Sequence, residues 1–394
     1  MSDKPGVSDE VLTITIQAMK KIALTLSRED TLILAGGSIL ALALRFSLLP
    51  VETLDFHTFF GPWYEYIRAN GGFLALGQPF YNNTPVYLYL VALASYLYSG
   101  IPAVFAVKLI TVPFDFVCAA LVYKIVRAKY LNGPAPVFAF LAIVFAPTVF
   151  LNSSFWAETD ILYTTCLVAT LYFLIKEREI PAFLAFGLSI AIKLQALFFL
   201  PVLFILWLLR RVSWKSFLLL PLVYLLTIIP AWLLGRPLDE LLFVYLHQTE
   251  TYHALSMNAP NMYQWLPIDL YDLIYRAGML WAAGVVFVFC MAVYRRRPQY
   301  SVELLVQLAT ISLLLMPYVL PKMHERFTFP ADVFSIIYGF YLPGSFYIPL
   351  LVVGVSTLSY FPFLFGYELV PLKYLALVPP ITLTLLFWRL AKSI

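Results

Sequence analysis

The sequence predicts an all-α polytopic membrane protein of about 11–13 transmembrane helices, given the roughly 20 residues that a spanning helix needs. Hydrophobic residues make up 62% of the 394-residue chain, and only 12% of the residues are charged. The mean hydropathy is +0.84, and long apolar runs repeatedly end at Lys and Arg. Soluble domains carry about 25% charged residues, so the composition excludes a sizeable soluble domain.

The apolar runs define the predicted elements in chain order. Residues 1–30 are polar and mildly amphipathic, which indicates a cytoplasmic tail or a surface helix. Residues 31–394 are expected to form one transmembrane domain. Its apolar segments are 31–50, 85–99, 101–126, 134–151, 161–175, 180–192, 196–209, 216–234, 272–294, 301–320, 333–361 and 370–388.

Basic clusters predict the orientation of these segments, because cytoplasmic loops retain Lys and Arg. The clusters occur at 20–28, 124–129, 176–178, 210–215, 295–297 and 389–392. Two apolar runs, 85–99 and 101–126, precede the second cluster, so either one of them is partial or re-entrant or residues 127–129 face outside. Four polar islands are left for the other side: 51–84, 152–160, 235–270 and 321–332. We expect them to converge on one extracytoplasmic face. The net charge of +4 is too small and too scattered for a nucleic-acid-binding protein.

The first island, 51–84, contains Asp55 and His57 directly after the first apolar run. A carboxylate at the mouth of a membrane helix is partly desolvated, so its proton affinity can be tuned for acid–base chemistry. The stretch 58–76 is typical of amphipathic helices lying in the membrane interface. The alternative is an interfacial loop in which Asp55 only caps a helix. An Asp-x-His pair alone is a weak metal signal.

The second island contains Trp156, Glu158 and Asp160. If 156–165 is helical, Trp156 and Asp160 share one face at a spacing of four residues. An indole ring packs on the C–H face of a sugar, and carboxylates accept its hydroxyl groups, so the set suits carbohydrate. The alternative is a helix N-terminus at which acidic residues are favoured by the dipole.

The third island, 235–270, is the longest and is expected to form a lid over a cavity. It combines His, Tyr and Trp residues with the segment Asn258-Ala259-Pro260-Asn261. Within the apolar run 101–126, Lys108 and Asp115 are seven residues apart and share a helix face. A structural ion pair, with each other or with neighbours, is the expected role for these two residues.

The fourth island contains Lys322, His324 and Arg326 beside an apolar run. A phosphodiester is the ligand that such a cluster explains best, because Arg offers a forked donor pair and Lys a point charge. The alternative is a basic turn anchored to lipid headgroups.

Lys193 and Gln195 interrupt two short apolar runs, so a helix break would place Lys193 on the floor of an extracytoplasmic cavity.

Together these residues resemble a known family. The matching features are an early Asp after the first helix (Asp55), Tyr-x-x-x-Pro at 81–85, Trp-x-x-x-Asp at 156–160, Lys-x-Gln at 193–195 and a late His-Glu-Arg at 324–326. They resemble bacterial relatives of the mannosyltransferase that adds the second mannose in GPI-anchor assembly, within the GT-C superfamily of membrane glycosyltransferases. The resemblance covers 50–365 and includes Asn258–Asn261. It departs at Ala157-Glu158, where Gly-Gln is expected.

The resemblance implies a single transmembrane catalytic domain of the GT-C type. This would be an inverting hexosyltransferase of the plasma (inner) membrane, active on the extracytoplasmic face. It would move a hexose such as mannose from a polyprenyl-phosphate donor to a lipid-linked or glycan acceptor. Asp55 is the expected general base, and the donor phosphate would contact Lys193, Lys322, His324 and Arg326. The expected sugar or acceptor contacts are His57, Trp156, Glu158, Asp160, Gln195, Asn261 and Glu325.

The chemistry sets the remaining expectations about partners. An anionic phosphate can leave without protonation, so one carboxylate and a set of cations suffice and no cofactor is required. Mg²⁺ or Mn²⁺ could assist, although no residue cluster demands a metal. We expect a monomer surrounded by membrane lipids. A transporter or flippase of lipid-linked sugars is the alternative, since it also needs a cationic phosphate site.

Overall fold

The structure is a computed structural model that describes residues 27–250 and 252–393. Most of the predicted tail, residues 1–26, lies outside the described residues. The described chain folds into seventeen α-helices. They are α1 Arg28–Leu48, α2 Gly61–Ala69, α3 Pro85–Leu97, α4 Ala103–Lys129, α5 Ala135–Val144, α6 Pro147–Phe150, α7 Asp160–Ile175, α8 Glu179–Ile192, α9 Leu200–Leu208, α10 Leu219–Leu233, α11 Leu238–Glu250, α12 Tyr271–Arg296, α13 Val302–Val319, α14 Phe329–Tyr341, α15 Tyr347–Phe365, α16 Leu372–Leu375 and α17 Val378–Ser393.

Short helical turns and one pair of strands connect these helices. The π-helical turns are Phe56–Phe60 and Leu151–Trp156. The 3₁₀ turns are Gly72–Gly77, Leu194–Phe199, Trp214–Leu218, Met262–Trp265, Ile268–Leu270, Glu325–Thr328 and Pro343–Ser345. In the described part, the strands are the two-residue β1 Ser256–Met257 and β2 Met323–His324. The all-α prediction is therefore confirmed.

Length and composition identify the helices that can cross a membrane. Among the described residues seven helices qualify, or eight if α5 and the segment 147–156, bent by 43°, form one span. Four shorter apolar helices add to these: Pro85–Leu97, Asp160–Ile175, Glu179–Ile192 and Leu194–Leu208. The chain is thus a multi-pass membrane protein, and the shorter helices pack beside longer neighbours.

Burial distinguishes central helices from peripheral ones. In the apolar window of α13, 78% of the residues are buried inside the protein, against 11% for α1. The peripheral helices expose large side chains such as Leu40, Leu280 and Trp281. Because apolar side chains are stable in lipid, this exposure is consistent with a helix surrounded by a bilayer. The main core joins α4, α7, α8, α13 and α14.

Three interruptions of regular helix position the polar islands. The turn Leu151–Trp156 ends at Ala157, which has a left-handed φ of 73°. The predicted helix 156–165 is therefore wrong at its start, since α7 begins only at Asp160. Lys193 is extended where α8 ends, as the break in the apolar pattern predicted. Lys322 has a φ of 63°, which turns the chain into β2.

The strand pair joins the third and fourth islands. β1 and β2 are parallel, with Ser256 paired to Met323 and Met257 paired to His324. The backbone N–H of Lys322 also donates to the carbonyl of Leu255 at 2.8 Å. These backbone contacts hold the predicted lid segment against the cationic segment.

The intramembrane charges pair with neighbours rather than with each other. Asp115 accepts a hydrogen bond of 2.7 Å from Arg45 Nε, and both side chains are fully buried. The Lys108 ammonium donates to the carbonyls of Leu48, Leu49 and Val51. Lys108 therefore ties α4 to the end of α1 and fixes the start of the first polar island.

Candidate functional site

A cavity of about 710 Å³ lies where the four polar islands meet. Each island supplies part of its wall, so the predicted convergence occurs around one chamber. The polar and charged residues lining it are Asp55, Thr58, Asn82, Asn83, Glu158, Thr159, Lys193, Gln195, Tyr245, Gln248, Tyr252, Asn258, Tyr275, Lys322, His324, Glu325 and Arg326. Apolar residues such as Phe59, Trp63 and Met279 complete the wall.

Asp55 is held in the cavity wall by the second island. Its Oδ2 accepts a hydrogen bond of 2.8 Å from the indole Nε1 of Trp156. Thr53 fixes the backbone around this contact, because its hydroxyl donates to the Trp156 carbonyl at 2.9 Å. Burial, and then the nearby carboxylate of Glu158, raise the pKa of Asp55 to about 6. This value suits a group that exchanges protons near neutral pH.

Lys193 lies between two carboxylates at the helix break. Its ammonium is 2.5 Å from Asp160 Oδ1 and 3.6 Å from Glu158 Oε2. Asp160 is fully buried behind Lys193, and its Oδ2 also accepts a hydrogen bond of 2.9 Å from Asn152 Nδ2. The ammonium is thereby directed to the cavity wall, which Lys193 itself lines.

Arg326 contacts more carboxylates than any other described cation of the cavity. Its guanidinium lies 3.1 Å from Glu158, 3.7 Å from Glu325 and 3.9 Å from Asp160. Its Cζ lies 5.3 Å from the centre of the Trp156 ring. Within residues 27–250 and 252–393, the buried Arg326 Nε has no hydrogen-bond partner. A buried donor without a partner is costly, and a bound acceptor would satisfy it.

His324 and Glu325 lie beside this guanidinium. Burial and the neighbouring Arg326 lower the pKa of His324 far below its usual value, so the imidazole is neutral. Burial raises the pKa of Glu325 to about 7, although Arg326 opposes this effect. Glu158 differs from Glu325. Burial raises its pKa, but the positive charges of Arg326 and Lys193 outweigh this effect and lower the pKa to about 2. Glu158 is therefore an anion at neutral pH.

Several predicted site residues do not line the cavity. Trp156 is fully buried behind Asp55 and stacks on Phe363, with ring centres 4.8 Å apart. Asp160 is likewise behind Lys193 and cannot reach a ligand directly. Trp156 and Asp160 were assigned to one helix face, and the left-handed Ala157 between them removes that face. Their predicted role as sugar contacts does not fit this geometry.

His57 and Asn261 also lie away from the cavity. The side chain of His57 is 62% exposed and pairs with Glu52 at 3.1 Å. Asn261 is buried, and its Oδ1 accepts a hydrogen bond of 3.1 Å from the backbone N–H of Tyr263. Neither is placed as the predicted sugar or acceptor contact requires. Gln195 and Glu325, in contrast, lie in the wall as expected.

Asn82 and Asn83, whose side chains suit hydrogen bonds to sugar hydroxyls, reach the cavity together with residues for which the sequence predicts no individual role. Asn83 accepts hydrogen bonds from the Thr84 backbone at 2.9 Å and from Gln248 Nε2 at 3.4 Å. Tyr245 donates to the carbonyl of Ile190. The only sequence signal for this amide-rich wall is the polar character of 81–84 and of the lid, which does not indicate which side chains point inward.

The described residues do not offer an obvious set of metal ligands. In the part of the chain that the structure describes, no group of three or more His, Cys, Asp or Glu side chains could hold one. The carboxylates of the cavity instead face Lys193 and Arg326. A role for Mg²⁺ or Mn²⁺ stays a prediction.

Comparisons with known proteins agree on class and fold. Residues 81–317, more than half of the chain, match the family model "Glycosyltransferase family 87". This range includes Glu158 and Lys193 but not Asp55 or Arg326. The structure of ArnT from Cupriavidus metallidurans, bound to undecaprenyl phosphate, is similar with a TM-score of 0.54 and 16% identity. The match covers 91% of this chain and 77% of ArnT, and it supports the predicted GT-C fold. No curated protein matches the chain.

Proposed function

Because the chain belongs to glycosyltransferase family 87, we propose that it transfers a sugar from a polyprenyl-phosphate donor to a lipid-linked or glycan acceptor. The sugar is a hexose such as mannose, and the anomeric configuration inverts. The undecaprenyl phosphate bound to ArnT supports the donor class. The membership itself makes the protein a membrane glycosyltransferase, which favours an enzyme over the transporter alternative.

One observation carries the proposal. A carboxyl group with a pKa of about 6, Asp55, shares a cavity with Lys193, Lys322 and Arg326. Glycosyl transfer needs a base at the acceptor hydroxyl and stabilisation of a departing phosphate, and these two requirements call for opposite charges in one chamber. Arg326 Nε, which has no hydrogen-bond partner among the described residues, can donate to a phosphate oxygen.

The chemistry follows from this arrangement. Asp55 takes the proton of the acceptor hydroxyl while that oxygen attacks the anomeric carbon. The bond between the anomeric carbon and the phosphate oxygen breaks, and its electron pair stays on the phosphate. Arg326 and Lys193 stabilise this oxygen, and the neutral His324 donates or accepts one hydrogen bond beside it. Glu325 and Gln195 are placed to accept hydrogen bonds from sugar hydroxyls.

The length of α4 supports an extracytoplasmic cavity. Lys108 binds the carbonyl of Val51, four residues before Asp55. Lys129 closes the same helix 21 residues later, roughly 30 Å away at 1.5 Å per residue. The basic cluster 124–129 thus lies about one bilayer thickness from the cavity, and this cluster is of the kind retained in the cytoplasm.

The experiment that tests the proposal follows label from donor to acceptor. Purified protein is incubated with polyprenyl-phosphate [¹⁴C]mannose and a membrane lipid extract as acceptor source. Asp55→Asn keeps the size of the side chain but removes the base, so transfer should fall by about 10³-fold while donor binding persists. Asp239→Asn, on α11 and outside the cavity lining, is the control. Wild-type turnover in the Asp55→Asn protein contradicts the assignment, and label that crosses vesicles unchanged supports a transporter.

A further inference from the structure

Glu158 lies between the two cations that are proposed to bind the donor phosphate. Its side chain is 4% exposed, and its two oxygens point to different cations: Oε1 to Arg326 Nη2 at 3.1 Å and Oε2 to Lys193 Nζ at 3.6 Å. The backbone N–H of Thr159 donates to Oε2 at 3.2 Å. Glu158 is therefore fixed between both cations, and it also lines the cavity.

The geometry makes Glu158 a neighbour of any bound phosphate. A phosphate that contacts Arg326 and Lys193 must share them with this carboxylate. Asp160 balances part of their charge from behind and is not exposed to the cavity. An incoming anion thus meets two cations that already face two carboxylates. Each negative charge on the ligand is attracted by the cations and repelled by Glu158 at short range.

Donor and product of the proposed reaction differ in this charge. A polyprenyl-phosphate sugar is a phosphodiester with one negative charge. After transfer the lipid carries a phosphomonoester, whose second ionisation has a pKa of about 6, so it approaches two charges above neutral pH. The repulsion from Glu158 is then about twice as large for product as for donor.

We propose that Glu158 is a specificity-determining residue that weakens binding of the phosphomonoester product relative to the phosphodiester donor, and so promotes product release. This inference rests on the proposed function. Without Glu158, Lys193 and Arg326 would retain the dianionic product more tightly than the donor. With it, every additional negative charge on the ligand is opposed by a carboxylate that lies between the two cations.

The test compares two lipids that differ in this one charge. Undecaprenyl phosphate represents the monoester, and its methyl ester represents the diester. Both Kd values are measured at pH 8 for wild type and Glu158→Gln in detergent. Glu158→Gln should bind the monoester roughly tenfold more tightly and the diester only about threefold more tightly. In turnover, inhibition by added undecaprenyl phosphate should become stronger by a similar factor.

Two controls separate charge from shape. Glu158→Asp keeps the negative charge, so its ratio of monoester to diester affinity should stay within about twofold of wild type. Glu65→Gln removes a charge from the exposed pair with Arg68 and should change neither affinity. Thermal unfolding of each variant establishes that the fold is retained.

A measurement on the wild-type protein needs no substitution. Lowering the pH from 8 to 5 converts the monoester to a monoanion but leaves the diester unchanged. Asp55 and Glu325 also lose negative charge over this range, which favours the monoester more than the diester and acts in the same direction. The measured quantity is the ratio of the two Kd values. This ratio should shift towards the monoester as the pH falls.

The outcomes distinguish the inference from the function on which it rests. An unchanged monoester-to-diester ratio in Glu158→Gln, or weaker binding of the monoester, overturns the role of Glu158 alone. If wild type binds neither lipid and transfers no sugar, the proposed function fails, and the inference falls with it.

Discussion

Two buried charge clusters in this protein have different surroundings. Arg45 and Asp115 form a closed pair whose side chains are 1% and 0% exposed, with Ser153 and the Phe116 ring as further contacts. Arg326 lies at the wall of a large cavity, and three carboxylates share its single guanidinium.

The difference shows that a buried ion pair by itself does not indicate function. The Arg45–Asp115 pair balances one cation with one carboxylate, although Arg45 Nη2 and Asp115 Oδ1 have no hydrogen-bond partner among the described residues. In the second cluster, Arg326 Nε likewise has no hydrogen-bond partner among the described residues, but Arg326, Glu158 and Glu325 line the cavity. A ligand can reach and satisfy a buried donor at a cavity wall, and this distinction can be tested by variants of both clusters.

The largest effect is expected for Arg326→Met. This substitution removes the charge that faces Glu158 and Glu325 and the donor assigned to the leaving phosphate. Loss of one preorganised donor of this kind costs about 10²–10³-fold in turnover. We therefore expect sugar transfer to fall by at least about 100-fold, measured with labelled donor.

Arg68→Met is the matched control for Arg326→Met. Arg68 pairs with Glu65 at the surface, with both side chains about half exposed, and its loss should leave transfer within twofold. If Arg326→Met retains more than a third of wild-type transfer, Arg326 is not part of the phosphate site.

The closed pair should show the opposite result. Arg45→Met leaves Asp115 buried without its cation, which is expected to lower the free energy of unfolding by about 3–5 kcal/mol. Turnover per folded molecule should stay near wild type, because neither residue lines the cavity. Thermal unfolding in detergent and transfer of labelled sugar measure the two quantities separately.

A double variant sharpens this comparison. Arg45→Met combined with Asp115→Leu replaces the pair by apolar side chains and should recover most of the lost stability. No such recovery of transfer is expected when Arg326→Met is combined with Glu158→Gln. A large loss of turnover in the Arg45 variants would contradict the structural role of the closed pair.

A smaller effect concerns the pH dependence of transfer. Trp156 Nε1 donates to Asp55, and a hydrogen bond to a carboxylate lowers its pKa. Trp156→Phe removes this donor, so the pKa of Asp55 should rise above about 6. Since the base acts as carboxylate, activity is lost below its pKa, and the acidic limb of the pH–rate profile should move up by about one unit.

The measurement for Trp156→Phe is turnover from pH 4.5 to 9 at saturating donor. At pH 8 the variant should approach wild-type activity, which distinguishes a shifted base from a distorted site. Trp207→Phe, on α9 and away from the cavity, should leave the profile unchanged. A downward shift of the limb would contradict the assigned hydrogen bond.

The fold class followed from composition, whereas parts of the site did not. Apolar runs predict helices because the bilayer permits little else, and the break at Lys193 was visible as a polar interruption. The burial of Trp156 was not predictable, since it depends on the π-helical turn 151–156 and on the left-handed Ala157. The inward direction of Gln248 similarly depends on contacts with Asn82 and Asn83, which are distant in the sequence.

The smallest effect is expected at His57. The sequence placed it two residues from Asp55 and suggested a sugar or acceptor contact. In the structure, the turn Phe56–Phe60 directs Asp55 to Trp156 and His57 outward, where its side chain is 62% exposed and pairs with Glu52. Exposed ion pairs contribute at most about 1 kcal/mol. His57→Ala should therefore change transfer by less than twofold and lower the free energy of unfolding by at most about 1 kcal/mol.

The His57→Ala variant distinguishes two expectations: a contact with substrate, suggested by its position two residues from Asp55, and no contact, indicated by its outward direction in the structure. Glu52→Gln removes the partner of His57 and should be equally silent in the transfer assay. If His57→Ala raises the KM for the acceptor tenfold while Glu52→Gln does not, the imidazole must turn towards the cavity during the reaction. Residues 52–60 would then move when substrate binds, and the cavity described above would be its form before that movement.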